Sequence, residues 1–362
     1  PGPGPTPPGG QHDWAVLVAG SNTWGNYRHQ ADICHAYQIL IKNGMPAERI
    51  ITFMYDDIAN NPENPRAGQV INKPDGSDVY AGVKIDYSGS DVTATNVVAV
   101  IKGDKTAVKG GTGRVLESTA DDHVLFYFAD HGGPGILGMP QGQPFLYAND
   151  LTGALVDRSK AQGFAQLTAY IEACESGSIF KGLLPDNVNI YGMTAANEKE
   201  SSWGFYCPGM DPPPPAEYTT CLGDLFSIAW MENSDSSDLS TETLEEQYSK
   251  VKTRTSNKGT YVQGSHVEQY GDLSIVNETC VEFIGETDGS KKAVVTEEAP
   301  VEYEQHTAVP QRDADLHYLY TEYVRAPAGE KETARAALSA ELALRERVDA
   351  SVTAVVAAAA VT

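Results

Sequence analysis

Two short segments carry the residues best suited to covalent chemistry. Asp130-His131-Gly132-Gly133 and Glu172-Ala173-Cys174-Glu175-Ser176-Gly177 each follow an apolar run, and His131 and Cys174 lie 43 residues apart. A thiol becomes a useful nucleophile when an imidazole can take its proton and return one to a leaving amine. Glycines after His131 let a backbone N–H approach a developing oxyanion. The plainer alternative is a core cysteine and a hydrogen-bonded loop histidine. Placement of both at strand ends, with glycines beside them, favours the chemical reading.

Those segments need a scaffold. Short continuous apolar runs over 14–20, 50–55, 124–128, 168–171 and 188–192 predict strands buried on both faces. Helical patterns are expected over 29–43, closed by Asn43-Gly44, and over 95–109. Residues 56–95 read as a long irregular excursion rich in Asn, Pro, Gly and Asp. Strands alternating with helices at this spacing predict an α/β fold with a mostly parallel sheet, whose sites form at the carboxyl ends of its strands. His131 and Cys174 then belong at one rim, and His preceding Cys fits the caspase-type order, not the papain type, where Cys leads.

The chain has 362 residues, 41% of them hydrophobic, which is enough for a sizeable core. Lys and Arg number 26 against 49 Asp and Glu, a net charge of −23 that speaks against nucleic-acid binding. An acidic surface suits an acidic compartment. No apolar run reaches membrane-spanning length. No C-x-x-C or H-E-x-x-H spacing suggests a metal centre, no G-x-S-x-G suggests a serine nucleophile, and no cofactor is implied. Five cysteines permit one or two bridges with at least one free thiol. Residues 1–13 form a Pro/Gly leader, 14–285 one large domain, 286–310 a charged linker, and 311–362 a helical region.

The chain resembles legumains, the asparaginyl endopeptidases or vacuolar processing enzymes, of plant and algal type. The carrying segments are W-A-V-L-V-A-G-S-N at 14–22, N-Y-R-H-Q-A-D at 26–32 and M-Y-D-D-I-A at 54–59. F-A-D-H-G-G-P-G at 128–135, Y-I-E-A-C-E-S-G-S at 170–178 and the 201–224 region continue them. The resemblance implies a caspase-like fold followed by a partial all-α prodomain. It also implies a cysteine endopeptidase that cleaves after Asn, and after Asp at acid pH, through a thioester.

Residue by residue, the resemblance implies Cys174 as nucleophile, His131 as general acid and base, and Asn22 as the group that orients His131. Backbone N–H groups of Gly132 and Cys174 would form the oxyanion hole, and Asp130 matches a position that can cyclise to a succinimide. The P1 pocket would use Arg28 and His29 toward a carboxamide oxygen, Glu172 and Asp224 toward its nitrogen, and Ser201 beside them. A carboxamide both donates and accepts, so a selective pocket needs walls of both charges. Trp203-Gly204 and Gly133-Pro134 match the hydrolytic type, with some transpeptidation near neutral pH. Cys207 and Cys221 would close a polyproline loop. Asn277-Glu278-Thr279 is a glycosylation pattern, and Lys102-Gly103-Asp104 is read as a solvated turn.

The tail at 311–362 resembles the beginning of the family's helical prodomain, with Gln311 occupying the P1 pocket as an uncleaved mimic of Asn. Acidification would release that cap and permit autocleavage in the linker. Family prodomains extend further, so an incomplete cap is expected. Implied partners are proteins and peptides with exposed Asn and the chain's own prodomain, with a proenzyme able to dimerise. The implied home is a vacuole or lysosome reached through the secretory pathway. Two other classes compete: a non-catalytic scaffold on the same fold, and a signalling protease selective for Asp at neutral pH.

Overall fold

A computed structural model describes residues 13–285 and 305–359, with side chains to 353. In chain order it contains β1 (Trp14–Ala19), α1 (Tyr27–Lys42), β2 (Ile50–Phe53), α2 (Ala94–Lys102), β3 (His123–Ala129), β4 (Gly132–Gly133), β5 (Ile136–Leu137) and β6 (Leu146–Tyr147). Next come α3 (Ala148–Lys160), β7 (Gln166–Glu172), β8 (Ile190–Thr194), β9 (Trp203–Phe205), β10 (Gly223–Asp224), α4 (Leu225–Ser236), α5 (Leu244–Thr255) and β11 (Glu268–Gly271). The chain continues through α6 (Val281–Ile284), β12 (Val309–Pro310), α7 (Ala314–Arg325) and α8 (Lys331–Ala359).

Six strands form the central sheet in the order β11-β8-β7-β3-β1-β2. Neighbours pair in parallel except at the β11 edge, where Glu268 lies opposite Thr194 in an antiparallel ladder. Alternation of side chains splits the core in two. Ala15, Leu17, Ala19, Leu125, Tyr127 and Ala129 face one cluster with α1 and α4. Val16, Val18, Phe126, Phe128, Ala169 and Ile171 face the other with α2 and α3. Strands covered on both faces become apolar at every position, which is why these runs show no alternation in sequence.

Chain order reverses between β1 and β3, since β2 lies beyond β1 on one side and β7 beyond β3 on the other. A crevice forms above such a reversal, at the carboxyl ends of the strands. α1 ends in a full Schellman motif: Met45 N–H bonds Leu40 O at 3.0 Å, Gly44 N–H bonds Ile41 O at 3.1 Å, and Gly44 has φ 87°.

Three expectations are corrected. The helix over 95–109 stops at Lys102 because Gly103, at φ 71°, caps it. The strand over 188–192 begins only at Ile190, after Asn189 turns left-handed at φ 54°. The linker over 286–310 lies outside the described residues as far as 304, but its end is not a loose connector. There β12 pairs antiparallel with β9, Val309 opposite Gly204 and Pro310 opposite Trp203. The leader over 1–13 likewise lies outside the described residues as far as 12. Among the described residues no helix is long and apolar enough to cross a membrane.

Candidate active site

The β3–β7 register pairs Ala129 with Glu172, 43 residues apart, and the same offset separates His131 from Cys174. Two parallel neighbours therefore deliver the imidazole and the thiol to one level of one rim. Gly132 completes the junction: a Cβ there would fall 2.3 Å from Cys174 O, so only glycine lets the β4 backbone lie against the cysteine. Cys174 is buried, with Sγ 3.3 Å from Ser201 Oγ and 3.9 Å from Ser202 Oγ.

His131 is held by Asn26, not Asn22. Its Nε2 lies 2.8 Å from Asn26 Oδ1. The Asn26 amide is fixed because Nδ2 donates to the Asn22 carbonyl at 3.1 Å. Oδ1 must then accept, so Nε2 carries the hydrogen and Nδ1 keeps the basic lone pair. The Asn22 side chain instead accepts Gln141 N–H at 3.0 Å. A single turn of 3-10 helix at Trp24–Asn26 explains the exchange, because it brings the Asn26 amide back to the Asn22 carbonyl. Desolvation, then the Arg28 charge 3.4 Å away, lowers the His131 pKa to about 3.

The first turn of α1 supplies the cationic wall. Arg28 is fully buried; Nε bonds Asp224 Oδ1 at 3.0 Å and Nη1 bonds Gly25 O at 3.1 Å. His29 places Nδ1 2.6 Å from Ser21 Oγ and Nε2 3.5 Å from Asp224 Oδ2. Burial, then Arg28, lowers its pKa to about 3, leaving Arg28 as the fixed cation. The anionic wall is Glu172, at the end of β7, and Asp224, which precedes α4. Glu172 Oε2 accepts both Ser227 N–H and Oγ–H at 3.0 Å. Burial, then the Asp224 charge, raises the Glu172 pKa well above the usual carboxylate range.

Gln311 fills the space between these walls and is fully buried. Arg28 Nη2 donates to its Oε1 at 3.5 Å, while its Nε2 donates to Asp224 Oδ1 at 3.1 Å and Glu172 Oε1 at 3.4 Å. Gln311 N–H also bonds Ser202 O at 2.9 Å, extending the β9–β12 pairing by one residue. The chain before and after Gln311 is anchored as well. Thr307 N–H bonds Asp211 O, Ala308 N–H bonds Gln263 Oε1, Arg312 pairs with Glu175, and Arg345 of α8 bonds both Asp313 and Arg312 O. Ser201 stands beside Cys174 and makes no hydrogen bond to the Gln311 carboxamide. Ser202, which the sequence reading passed over, holds the Gln311 backbone instead. The signal available for it was only its place between Ser201 and Trp203.

The remaining expected residues frame the cleft. Trp203 and Gly204 form β9, and a Cβ on Gly204 would lie 3.3 Å from Cys221 Sγ and 3.6 Å from Val309 O. Cys207 and Cys221 are disulfide-bonded. Gly133 lies in β4 and Pro134 is exposed in the turn after it. Asp130 is buried, and burial raises its pKa to about 6. Asn277 is exposed after a short 3-10 turn, far along the chain from the cleft. His29, Asp130 and His131 bring ligand atoms within 4.8 Å of one another. The Arg28 guanidinium beside them opposes a cation there.

Residues 13–286 match the model of the peptidase C13 family. The chain is 54% identical to the vacuolar-processing enzyme of Ricinus communis, over 88% of this chain and 64% of that one. It is 52% identical to the legumain of Canavalia ensiformis, over 86% of this chain and 65% of that one. It thus spans just under two-thirds of the length of these relatives. A solved caspase-1 structure from Spodoptera frugiperda aligns with a TM-score of 0.45 and 10% identity, covering 77% of this chain and 92% of that one.

Proposed function

The chain belongs to the peptidase C13 family, and we propose that it is a cysteine endopeptidase selective for Asn at P1, held latent by its own C-terminal segment. The observation that carries this reading is the Gln311 carboxamide, buried between Arg28 and the Asp224–Glu172 pair on a strand that runs past Cys174. A peptide adding a strand to β9 would place an Asn side chain in the same position. A pocket with one buried cation and paired carboxyls rewards a group that accepts at one end and donates at the other.

In the reaction, His131 Nδ1 takes the Cys174 proton and the thiolate attacks the carbonyl carbon of Asn. Backbone N–H groups of Gly132 and Cys174 stabilise the oxyanion. The imidazolium then protonates the departing amine, leaving a thioester. Water, deprotonated by the same imidazole, attacks the thioester and releases the acid. An incoming amine at that step would instead give a transpeptidation product, which Gly204 and Gly133-Pro134 disfavour by family pattern. At acid pH, a protonated Asp side chain offers an O–H and a carbonyl, and so imitates the amide.

The α7–α8 pair and β12 act in this reading as an inhibitory cap that acid releases. Relatives carry the name vacuolar-processing enzyme, which supports a vacuolar home, with Asn277 as a glycosylation site on the way. The test compares acid-activated protein with its Cys174→Ala variant on Ala-Ala-Asn and Ala-Ala-Asp reporters at pH 5 and pH 7. Turnover after Asn that vanishes in the variant is expected. Equal turnover by both proteins overturns the reading, and Asp preference at pH 7 would favour the signalling-protease class.

A further inference from the structure

α1 carries polar residues on one buried face beyond the two that reach the pocket. Arg28, Asp32 and His35 follow at i, i+4 and i+7, which stacks them along the helix. Asp32 is fully buried behind Asp224: its Oδ2 accepts Asp224 N–H at 3.2 Å, and its Oδ1 accepts Asn72 Nδ2 at 2.7 Å. Asn72 Nδ2 also donates to Leu222 O at 2.9 Å, so two acceptors fix the direction of this amide. Gly223 allows the approach, since a Cβ there would lie 2.9 Å from Asn72 Nδ2.

With Nδ2 so placed, Asn72 Oδ1 faces His35 Nδ1 at 2.7 Å as an acceptor. His35 Nε2 lies 2.8 Å from Asp235 Oδ2 on α4. Burial works to raise the Asp235 pKa, but the His35 hydrogen bond and charge, with Lys42, bring it down to about 2. Both ring nitrogens therefore face acceptors, and an imidazole that donates from both is an imidazolium. Asp235 is 30% exposed and Lys42 54% exposed, so the chain of contacts runs from solvent to the pocket.

We propose that His35 is a positioning residue for the P1 pocket: as an imidazolium it locks Asn72, which holds Asp32 under the Asp224 backbone and so aims Asp224 at the carboxamide. This rests on the reading of that cleft as a P1 pocket. The charges around the relay are Asp235 on α4 and Lys42 on α1 toward solvent. Toward the pocket they are Asp32 and Arg28 on α1, Asp224 before α4 and Glu172 on β7, with the Tyr127 phenol of β3 nearby. Loss of a His35 proton turns one of its two contacts into an acceptor facing an acceptor. When the remaining proton sits on Nε2 toward Asp235, Asn72 Oδ1 loses its donor and the hold of Asn72 on Asp32 weakens.

The test uses the full chain carrying Cys174→Ala, with and without Asp235→Asn, a substitution at a partly exposed position outside the pocket. In 15N spectra of histidine at pH 7, both His35 nitrogens should carry a proton, and Asp235→Asn should remove one of the two protons. The Gln311 side-chain amide signals should then shift at pH 7 and coincide with the parent's at pH 5. A neutral His35 at pH 7, or Gln311 signals indifferent to Asp235→Asn, overturns the proposal. In activated enzyme with Cys174 intact, Asp235→Asn should raise KM for the Asn reporter roughly three- to tenfold at pH 7, with kcat within about twofold and no effect at pH 5. An unchanged KM profile also overturns it. Absence of turnover in the parent enzyme would count against the protease reading alone, because the spectra decide His35 without catalysis.

Discussion

Gln311 shares an oxygen with Arg28: its Nε2 donates to Asp224 Oδ1 at 3.1 Å, and the same atom accepts Arg28 Nε at 3.0 Å. The Gln311 carboxamide and the Arg28 guanidinium are thus joined through a single carboxylate. Gln311→Glu would set a third carboxyl against Asp224 and Glu172. The intact chain carrying it should hydrolyse an Asn reporter at pH 7 at least roughly tenfold faster than wild type. Gln311→Asn removes one methylene and supplies the proposed P1 residue itself. Mass spectrometry should find cleavage between positions 311 and 312; an intact Gln311→Asn chain would speak against the pocket assignment.

His306 lies in the anchored stretch that leads to Gln311. It is buried, its ring packs edge-on against Phe205 at 5.1 Å, and its Nε2 has no hydrogen-bond partner among the described residues. Burial, then Arg254, lowers its pKa from 6.5 to about 4. A depressed histidine pKa means that the docked form holds the neutral ring. Docking is therefore strongest above pH 6.5, weakens as pH falls toward 4, and loses nothing further from this group below that. His306→Gln should flatten the pH dependence of cap release across that window, measured by the onset of reporter turnover. An unaltered profile would assign the acid response to other groups.

The tautomer of His131 depends on Asn26. Asn26→Ala should lower kcat by roughly ten- to a hundredfold with little change in KM, because the ring loses its orientation while the P1 pocket stays intact. Asn22→Ala should cost less, since the Asn22 backbone carbonyl, which steadies Asn26, is retained. Steady-state kinetics on activated protein distinguishes the two.

Gly204 is pressed between the Cys207–Cys221 disulfide and β12. Gly204→Val should raise KM for extended peptides and shift the product ratio from hydrolysis toward ligation of an Asn-Gly-Leu peptide, read by chromatography at pH 6.5. A ratio identical to wild type would remove Gly204 from the control of that step.

Much of this was legible in sequence because buried parallel strands announce themselves as unbroken apolar runs. β1, β3 and β7 fall within two residues of the expected limits. Bringing the ends of β3 and β7 to one rim needed only the inference that these strands are neighbours. The rest depended on backbone detail that composition does not encode. Asn26 displaces Asn22 through one 3-10 turn. Ser202 displaces Ser201 because a pairing strand uses its carbonyl. Two small sheets, β4–β5–β6 and β10–β9–β12, are built from strands of two or three residues, too short for any period to show. The His35 relay was invisible because its members, residues 28–35, 72, 224 and 235, converge only after folding.

α1 has thirteen of its sixteen residues buried, and Arg28 stands in its first turn. Neighbours such as Ala31, Cys34 and Leu40 belong to the main core. The cationic wall is therefore inseparable from the foundation of the domain.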